Sequence, residues 1–93
     1  MRSARVRLDG GKPIREVMKS RRITLQEVER RSKDIDPRGK GVSFQLVAFL
    51  ASEESWGRDT TSPRSAQLIA AALGVPEDRL FASESVRTRK GSA

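Results

Sequence analysis

The stretch GVSFQLVAFLAS, residues 41–52, decides the fold expected for this chain. Ser43 is of a type that caps helix N-termini, and apolar residues follow it at helical spacing. On a helical wheel the inward arc holds Val42, Leu46, Val47 and Leu50, and the outward arc holds Phe44, Gln45, Ala48 and Ser52, with Phe49 at the boundary. The stretch therefore predicts a short helix, from Phe44 to about Ser52, with one arc in a core and the other facing outward.

Size and composition restrict the class of protein. The 93 residues suit one small domain, and they include no cysteine, no histidine and no tyrosine. Without cysteine there is neither a disulfide nor a thiolate metal site, and without histidine the usual general base near neutral pH is missing. We therefore expect no enzyme activity, no catalytic residue, no metal and no other cofactor. No apolar run approaches the roughly 20 residues that cross a bilayer, so we expect a cytoplasmic protein without a membrane partner.

The charge is strongly basic and unevenly distributed. The net charge is +7, from 19 basic and 12 acidic residues, and such an excess favours a polyanionic partner, most simply nucleic acid. Residues 1–23 carry eight basic and two acidic side chains, whereas residues 41–62 carry one basic and three acidic side chains. If DNA is the partner, the flanks attract phosphate and the middle of the chain supplies discrimination.

The first half of the chain predicts a flexible segment and two helices. Residues 1–11 are charged and contain two glycines but no apolar period, so they are expected to form a flexible basic arm. Helix 1 is predicted from Pro13 to near Arg21. Thr24 and Glu27 have the spacing of a capping box, which predicts helix 2 from Leu25 to about Ser32.

The second half predicts the rest of a helical domain. Residues 33–40 are rich in Asp, Pro and Gly and are expected to form a loop before the Ser43-capped helix. Ser62 and Pro63 predict a further helix that Gly74 ends. The following VPEDRLF predicts a last short helical turn, and residues 83–93 a flexible basic tail. No strand alternation is visible. The sequence therefore predicts one all-α domain of five helices over residues 12–82.

The order of these motifs resembles the Cro and CI repressor type of helix-turn-helix domain, the XRE family. The matching residues are Ile14, Arg15, Val17, Thr24, Glu27, Val28, Gly41, Val42, Ser43, Val47, Leu50, Leu73, Gly74, Val75, Leu80 and Phe81. The resemblance covers about residues 13–81 and implies a compact lambda-repressor-like fold whose third helix reads the major groove of DNA.

Three departures accompany the resemblance. Residues 33–40 make the link before the third helix about eight residues longer than the short family turn. Glu29 stands where the family usually has a small alanine. Met18 and Ala51 stand where family members often pair a buried Arg with a Glu. Losing one buried partner costs about 3 to 5 kcal/mol, whereas replacing both can be neutral, so the paired absence is consistent with the resemblance.

The resemblance and the helical wheel together give candidate DNA contacts. The base-reading candidates are Phe44, Gln45, Ala48, Phe49 and Ser52. Gln45 can pair with adenine N6 and N7, and Phe44 and Ala48 offer apolar surface to a thymine methyl group. An alternative for Phe44 is a hydrophobic contact with the preceding loop. The backbone candidates are Thr24, Gln26, Arg38, Lys40, Ser43, Arg58, Thr60 and Thr61, and the candidates for a minor-groove arm are Arg2, Arg5 and Arg7.

Some of these residues have a plain alternative role. Arg38 and Lys40 fit either a phosphate clamp, together with flexible backbone amides, or a solvated loop. Trp56 fits an anchor against the helices or base stacking.

These features favour a sequence-specific regulator of transcription that binds double-stranded DNA, of the phage repressor or Cro-like kind. Two alternatives stay open: an antitoxin-type regulator that binds a protein partner, and a basic RNA-binding protein. A homodimer, if present, is expected to be weak or to form on DNA, because the segment after Pro76 is short and the tail is polar. We expect no small-molecule effector, because no residues remain for a sensing domain.

Overall fold

The computed structural model describes residues 4–52, 57 and 59–83, and these combine four α-helices with a small sheet. In chain order the elements are strand β1 (Arg5–Arg7), a 3-10 turn (Leu8–Gly11), helix α1 (Lys12–Arg21), helix α2 (Leu25–Ile35), helix α3 (Phe44–Ala51), strand β2 (Thr60–Thr61), helix α4 (Pro63–Leu73), a 3-10 turn (Glu77–Arg79) and strand β3 (Phe81–Ser83).

The helix ends form where local chemistry predicts them. Thr24 and Glu27 make both hydrogen bonds of a capping box at the start of α2. The Ser43 hydroxyl accepts a hydrogen bond from the Leu46 N–H at the start of α3, and Ser62 caps α4 in the same way. Gly74 ends α4 with a φ of 78°, the left-handed conformation that glycine adopts easily. The predicted positions of α1, α3 and α4 are confirmed.

The prediction of an all-helical domain of five helices is wrong, because the described residues include a three-stranded antiparallel sheet in the order β2-β1-β3. Arg5 lies opposite Thr61 on one side and Ser83 on the other. The segment predicted as a fifth helix is the 3-10 turn Glu77–Arg79 followed by β3. Strands of two or three residues are too short to show an alternating pattern in the sequence.

Residues 5–11, which the sequence assigned to a flexible arm, belong to the folded domain. Val6 is buried in β1, and the Arg7 N–H donates to the Asp59 carbonyl at 2.8 Å. The Leu8 N–H donates to the Leu80 carbonyl at 2.9 Å. These backbone bonds join the start of the domain to the segments before β2 and β3. Residues 1–3 of the predicted arm and 84–93 of the predicted tail lie outside the described residues.

The core lies between the four helices and is closed by residues of the last turn and strand. Its fully buried large side chains include Ile14, Val28, Val47, Leu50, Ile69, Leu73 and Leu80. The inward arc predicted for α3 is confirmed: Val42, Val47 and Leu50 are buried, and Leu46 is partly buried against the core. Burying one arc in this way fixes which arc of α3 faces outward.

Helix α2 is longer than predicted, and the loop after it is ordered. Residues 33–35, predicted as loop, continue the helix to Ile35. The buried Asp36 carboxylate then accepts hydrogen bonds from the backbone N–H groups of Arg38 (3.1 Å), Lys40 (3.1 Å) and Gly41 (2.9 Å), and it pairs with the Arg64 guanidinium from α4. The Asp36 carboxylate therefore holds the loop in a fixed conformation through three backbone hydrogen bonds.

A second buried group ties the end of this loop to α2. The Ser32 hydroxyl is fully buried, donates to the Glu29 carbonyl at 2.7 Å and accepts from the Val42 N–H at 2.9 Å. Val42 directly precedes the Ser43 cap, so Ser32 and Asp36 together set where α3 begins.

The Asp36 interactions give the protein a specific acid sensitivity. The pKa of Asp36 is lowered from 3.8 to about 2, mainly by the Gly41 and Arg38 N–H groups, with a further contribution from Arg64. Because the folded-state pKa lies below the unfolded one, the ionised carboxylate stabilises the fold above about pH 4, and this stabilisation disappears as the pH falls towards 2.

We expect Asp36→Asn to lower the melting temperature at pH 7, and the difference from the parent protein to shrink between about pH 4 and pH 2. Circular dichroism melts over this pH range measure the effect. The neighbouring Asp34→Asn is the control, because Asp34 is exposed on α2. A difference that stays constant over the whole range would contradict this role of Asp36.

Candidate nucleic-acid interface

The outward arc of α3 is open to solvent. Phe44 is 39% exposed and Gln45 is exposed, while Ala48, Phe49 and Ser52 are partly exposed. Phe44 is therefore partly covered and partly exposed. No residue of α3 carries a charge. This face can offer a partner one amide side chain and apolar surface.

Polar candidates lie at the starts of α2 and α3. Thr24, Gln26 and Ser43 are all exposed. The Thr24 and Ser43 hydroxyls accept the capping bonds from Glu27 (3.1 Å) and Leu46 (3.2 Å), so their O–H groups remain available as donors. Both helix starts can therefore offer hydrogen bonds to a phosphate oxygen.

Arg38 and Lys40 lie exposed in the loop that leads into α3. Within the described part of the chain, neither side chain makes a hydrogen bond or ion pair, so both cations face solvent. Their backbone N–H groups, in contrast, already bind the Asp36 carboxylate. The loop therefore offers a partner its side-chain charges and not the flexible amides expected from the sequence.

Arg7 has a structural role and does not form part of an arm. Its side chain is only 8% exposed, and Nη1 donates to the carbonyl oxygens of Phe49 (3.2 Å), Leu50 (2.9 Å) and Ser52 (2.6 Å). Nε also donates to the Asp59 carboxylate at 3.1 Å. A single guanidinium thus binds the carbonyl groups at the C-terminal end of α3, where a positive charge is favourable.

The other arm and backbone candidates also differ from the prediction. Arg5 in β1 pairs with Glu77 at 2.7 Å. Thr61 is buried in β2 and is not placed as an open phosphate contact, whereas Thr60 is partly exposed. The candidates Arg2 and Arg58, as well as Trp56, lie outside the described residues.

Arg15 supports the same end of α3 from another element. Its Nη1 donates to the Ala51 carbonyl at 2.7 Å and to the Gly10 carbonyl at 3.0 Å. Two arginines, from β1 and α1, therefore fix the orientation of α3. The chain lacks the buried Arg and Glu pair at Met18 and Ala51, but α1 still reaches the Ala51 backbone.

A cleft beside Ala48 was not predicted from the sequence. This cleft is shallow and largely open to solvent, has a volume of about 320 Å³, and is lined by Arg15 and Met18 of α1, Leu25 of α2, and Ala48, Ala51 and Ser52 around the end of α3. Residues from three separate helices form it, so no local pattern in the sequence predicts it.

A cationic depression along α1 adjoins this cleft, because Arg15 lines both. Lys12, Glu16 and Lys19 line the rest of it. The spacing of residues 12, 15, 16 and 19 marks one helix face, which is a signal that sequence inspection could have found. The outward arc of α3 therefore has cations on two sides: Arg38 and Lys40 before its start, and Lys12 and Lys19 beside the cleft.

Comparisons of the chain with protein families, curated proteins and solved structures found no match. The likeness to helix-turn-helix repressors consequently depends on the sequence motifs alone. Among the described residues, no helix is long and apolar enough to cross a membrane.

Proposed function

We propose that this protein is a sequence-specific regulator that binds double-stranded DNA and places α3 in the major groove. The observation that carries the proposal is the division of α3: Val47 and Leu50 are in the core, whereas Phe44 and Gln45 are exposed. The major groove, about 12 Å wide, admits one helix, and a rigidly held helix with one open face suits it.

The exposed residues divide into two roles under this proposal. Gln45 reads adenine through N6 and N7, which is a pairing that depends on base identity. Ser43, Thr24 and the cations Arg38 and Lys40 hold phosphates, which fixes the register without reading sequence. Occupation of a promoter by such a protein represses transcription by excluding other proteins, as in a phage-type repressor or Cro-like switch.

The test is a comparison of two single substitutions on a duplex selected from a random pool. Gln45→Ala is expected to lower the preference for the selected duplex over random DNA by roughly 10-fold or more. Lys40→Ala is expected to weaken binding to both duplexes equally and to reduce the salt slope by about one. Fluorescence anisotropy at several salt concentrations measures both effects.

Both side chains are exposed, so melting temperatures of the two variants should match the parent protein and exclude unfolding as the cause. Equal losses on the selected and random duplexes in both variants would contradict base reading by Gln45.

A second cleft supports a protein partner as the alternative. It has a volume of about 400 Å³ and lies between the ends of α2 and α4, where Ile35 is 44% exposed beside Ile23 and Ala71. Arg21, Arg31 and Asp34 also line this cleft, so its surface is mixed and could contact a protein through one exposed isoleucine and charged groups. Co-purification with a protein partner, together with loss of DNA discrimination in its absence, distinguishes an antitoxin-type regulator from a lone one.

A further inference from the structure

We propose that the cleft beside Ala48 holds the C5-methyl group of a pyrimidine base, so that the protein reads thymine by its methyl group. This inference rests on the proposed function, because it requires α3 to lie in the major groove. It adds Met18 and Leu25, which belong to α1 and α2, to the residues that determine sequence preference.

The position of the cleft is the first argument. Residues 44 and 48 are four apart and therefore share one face of α3, and Ser52 directly follows the helix. Phe44 is exposed on that face, and Ala48 and Ser52 line the cleft. A base edge that meets the outward arc consequently also meets the mouth of the cleft.

The chemistry of the lining is the second argument. Met18, Leu25, Ala48 and Ala51 present aliphatic and thioether surface, and the Arg15 guanidinium at the rim donates to backbone carbonyl groups. The C5-methyl group is the one apolar feature of a base edge in the major groove. An arginine or lysine on the reading helix is the usual partner of guanine, and α3 has neither.

The charge around the cleft is the third argument. Lys12 and Lys19 are exposed, together with the single carboxylate of Glu16, on the α1 face that adjoins it through Arg15, and the net charge of this face is positive. The C5 position lies on the backbone side of a pyrimidine edge, so the phosphates of the same strand lie close to a methyl group in the cleft. The cleft and the neighbouring cations are therefore complementary to adjacent parts of one nucleotide strand.

The experiment uses the intact protein and duplexes that it selects from a random pool. In the selected duplex, each thymine is replaced singly by deoxyuridine, which retains every hydrogen-bonding group and lacks only the methyl group. We expect at least one replacement to weaken binding about fourfold, the effect of one buried methyl group, and replacements outside the selected site to have no effect.

A second arm separates the two natural sources of the group. At the sensitive position, the T·A pair is replaced by a C·G pair. Binding to the duplex that contains cytosine there is compared with binding to the duplex that contains 5-methylcytosine. If the cleft recognises the methyl group itself, methylation improves binding by a similar factor of about four.

A matched pair of variants assigns the effect to the cleft. Ala48→Leu places a larger side chain in the cleft, where it competes with the methyl group for the same apolar surface, so the difference between thymine and deoxyuridine should shrink. Gln67→Leu places a leucine at an exposed position of α4, away from the cleft, and should leave that difference intact.

The outcomes distinguish this inference from the proposed function. A selected sequence that tolerates deoxyuridine at every position, or that contains no A·T pair, overturns the methyl pocket and leaves DNA binding standing. Failure to select any sequence over random DNA overturns both.

Discussion

Replacing Gly41 with alanine is expected to lower the free energy of unfolding by about 3 kcal/mol or more. Gly41 has a φ of 61°, which costs about 1 kcal/mol or more for a residue with a Cβ atom. That Cβ would lie 2.5 Å from the Ser32 hydroxyl oxygen and 2.7 Å from the Lys33 backbone nitrogen. Because Lys33 is part of α2, relief of the clash requires the loop to move and α3 to shift with it.

Gly39→Ala is the matched control for this substitution. Gly39 has a φ of 71° in the same loop, but a Cβ there meets no atom within 4 Å. Gly39→Ala should therefore lower the free energy of unfolding by the conformational cost alone, about 1 kcal/mol. Urea unfolding curves of the two variants separate conformational strain from the clash with α2. Equal destabilisation by both substitutions would show that the contact between Gly41 and Ser32 is unimportant.

The second large effect is expected for Arg7→Ala, with a loss of about 3 kcal/mol in unfolding free energy. The substitution removes one guanidinium from the carbonyl groups at the end of α3 and from Asp59. The partly buried carbonyl groups at the end of α3 then lose their charged donor. The side-chain contact that holds β1 against α3 is lost with it. Arg7→Lys should recover only part of the loss, since an ammonium group cannot reproduce the planar fork.

Arg79→Ala removes the same charge from an exposed position outside the proposed interface and is the control, with an expected change within about 0.5 kcal/mol. Chemical denaturation and binding to the selected duplex should be measured on all three variants. If Arg7 instead belonged to a flexible arm that binds the minor groove, Arg7→Ala would weaken DNA binding and leave the stability unchanged. That result would overturn the structural role assigned to Arg7.

The helical part of the fold could be predicted because its signals are local. The Thr24 and Glu27 capping box, the Ser43 and Ser62 caps and the Gly74 stop each act within one helical turn. The apolar period of residues 42–50 also fixed the buried and exposed arcs of α3 correctly. The exposed state of Gln45, on which the candidate site depends, follows from that period.

The rest depends on partners far apart in the chain. Strand β1 is three residues long and pairs with residues around 60 and 82, so no periodic pattern marks it. The sequence around Arg7 does not reveal its role, because its partners are carbonyl groups at the end of α3, far away in the chain. The loop after Ile35 is ordered by Asp36 through Arg64 of α4, and the cleft beside Ala48 needs three helices at once.

The central position of β1 also has a consequence for the order of folding. Its partner β3 lies at the opposite limit of the described chain, so the sheet has a high contact order and should close late, after the helices have formed from nearby residues. Arg7 reaches the end of α3 only from this strand. A partly folded chain can therefore have nearly its full helical signal while the helix proposed to read DNA still lacks a fixed orientation.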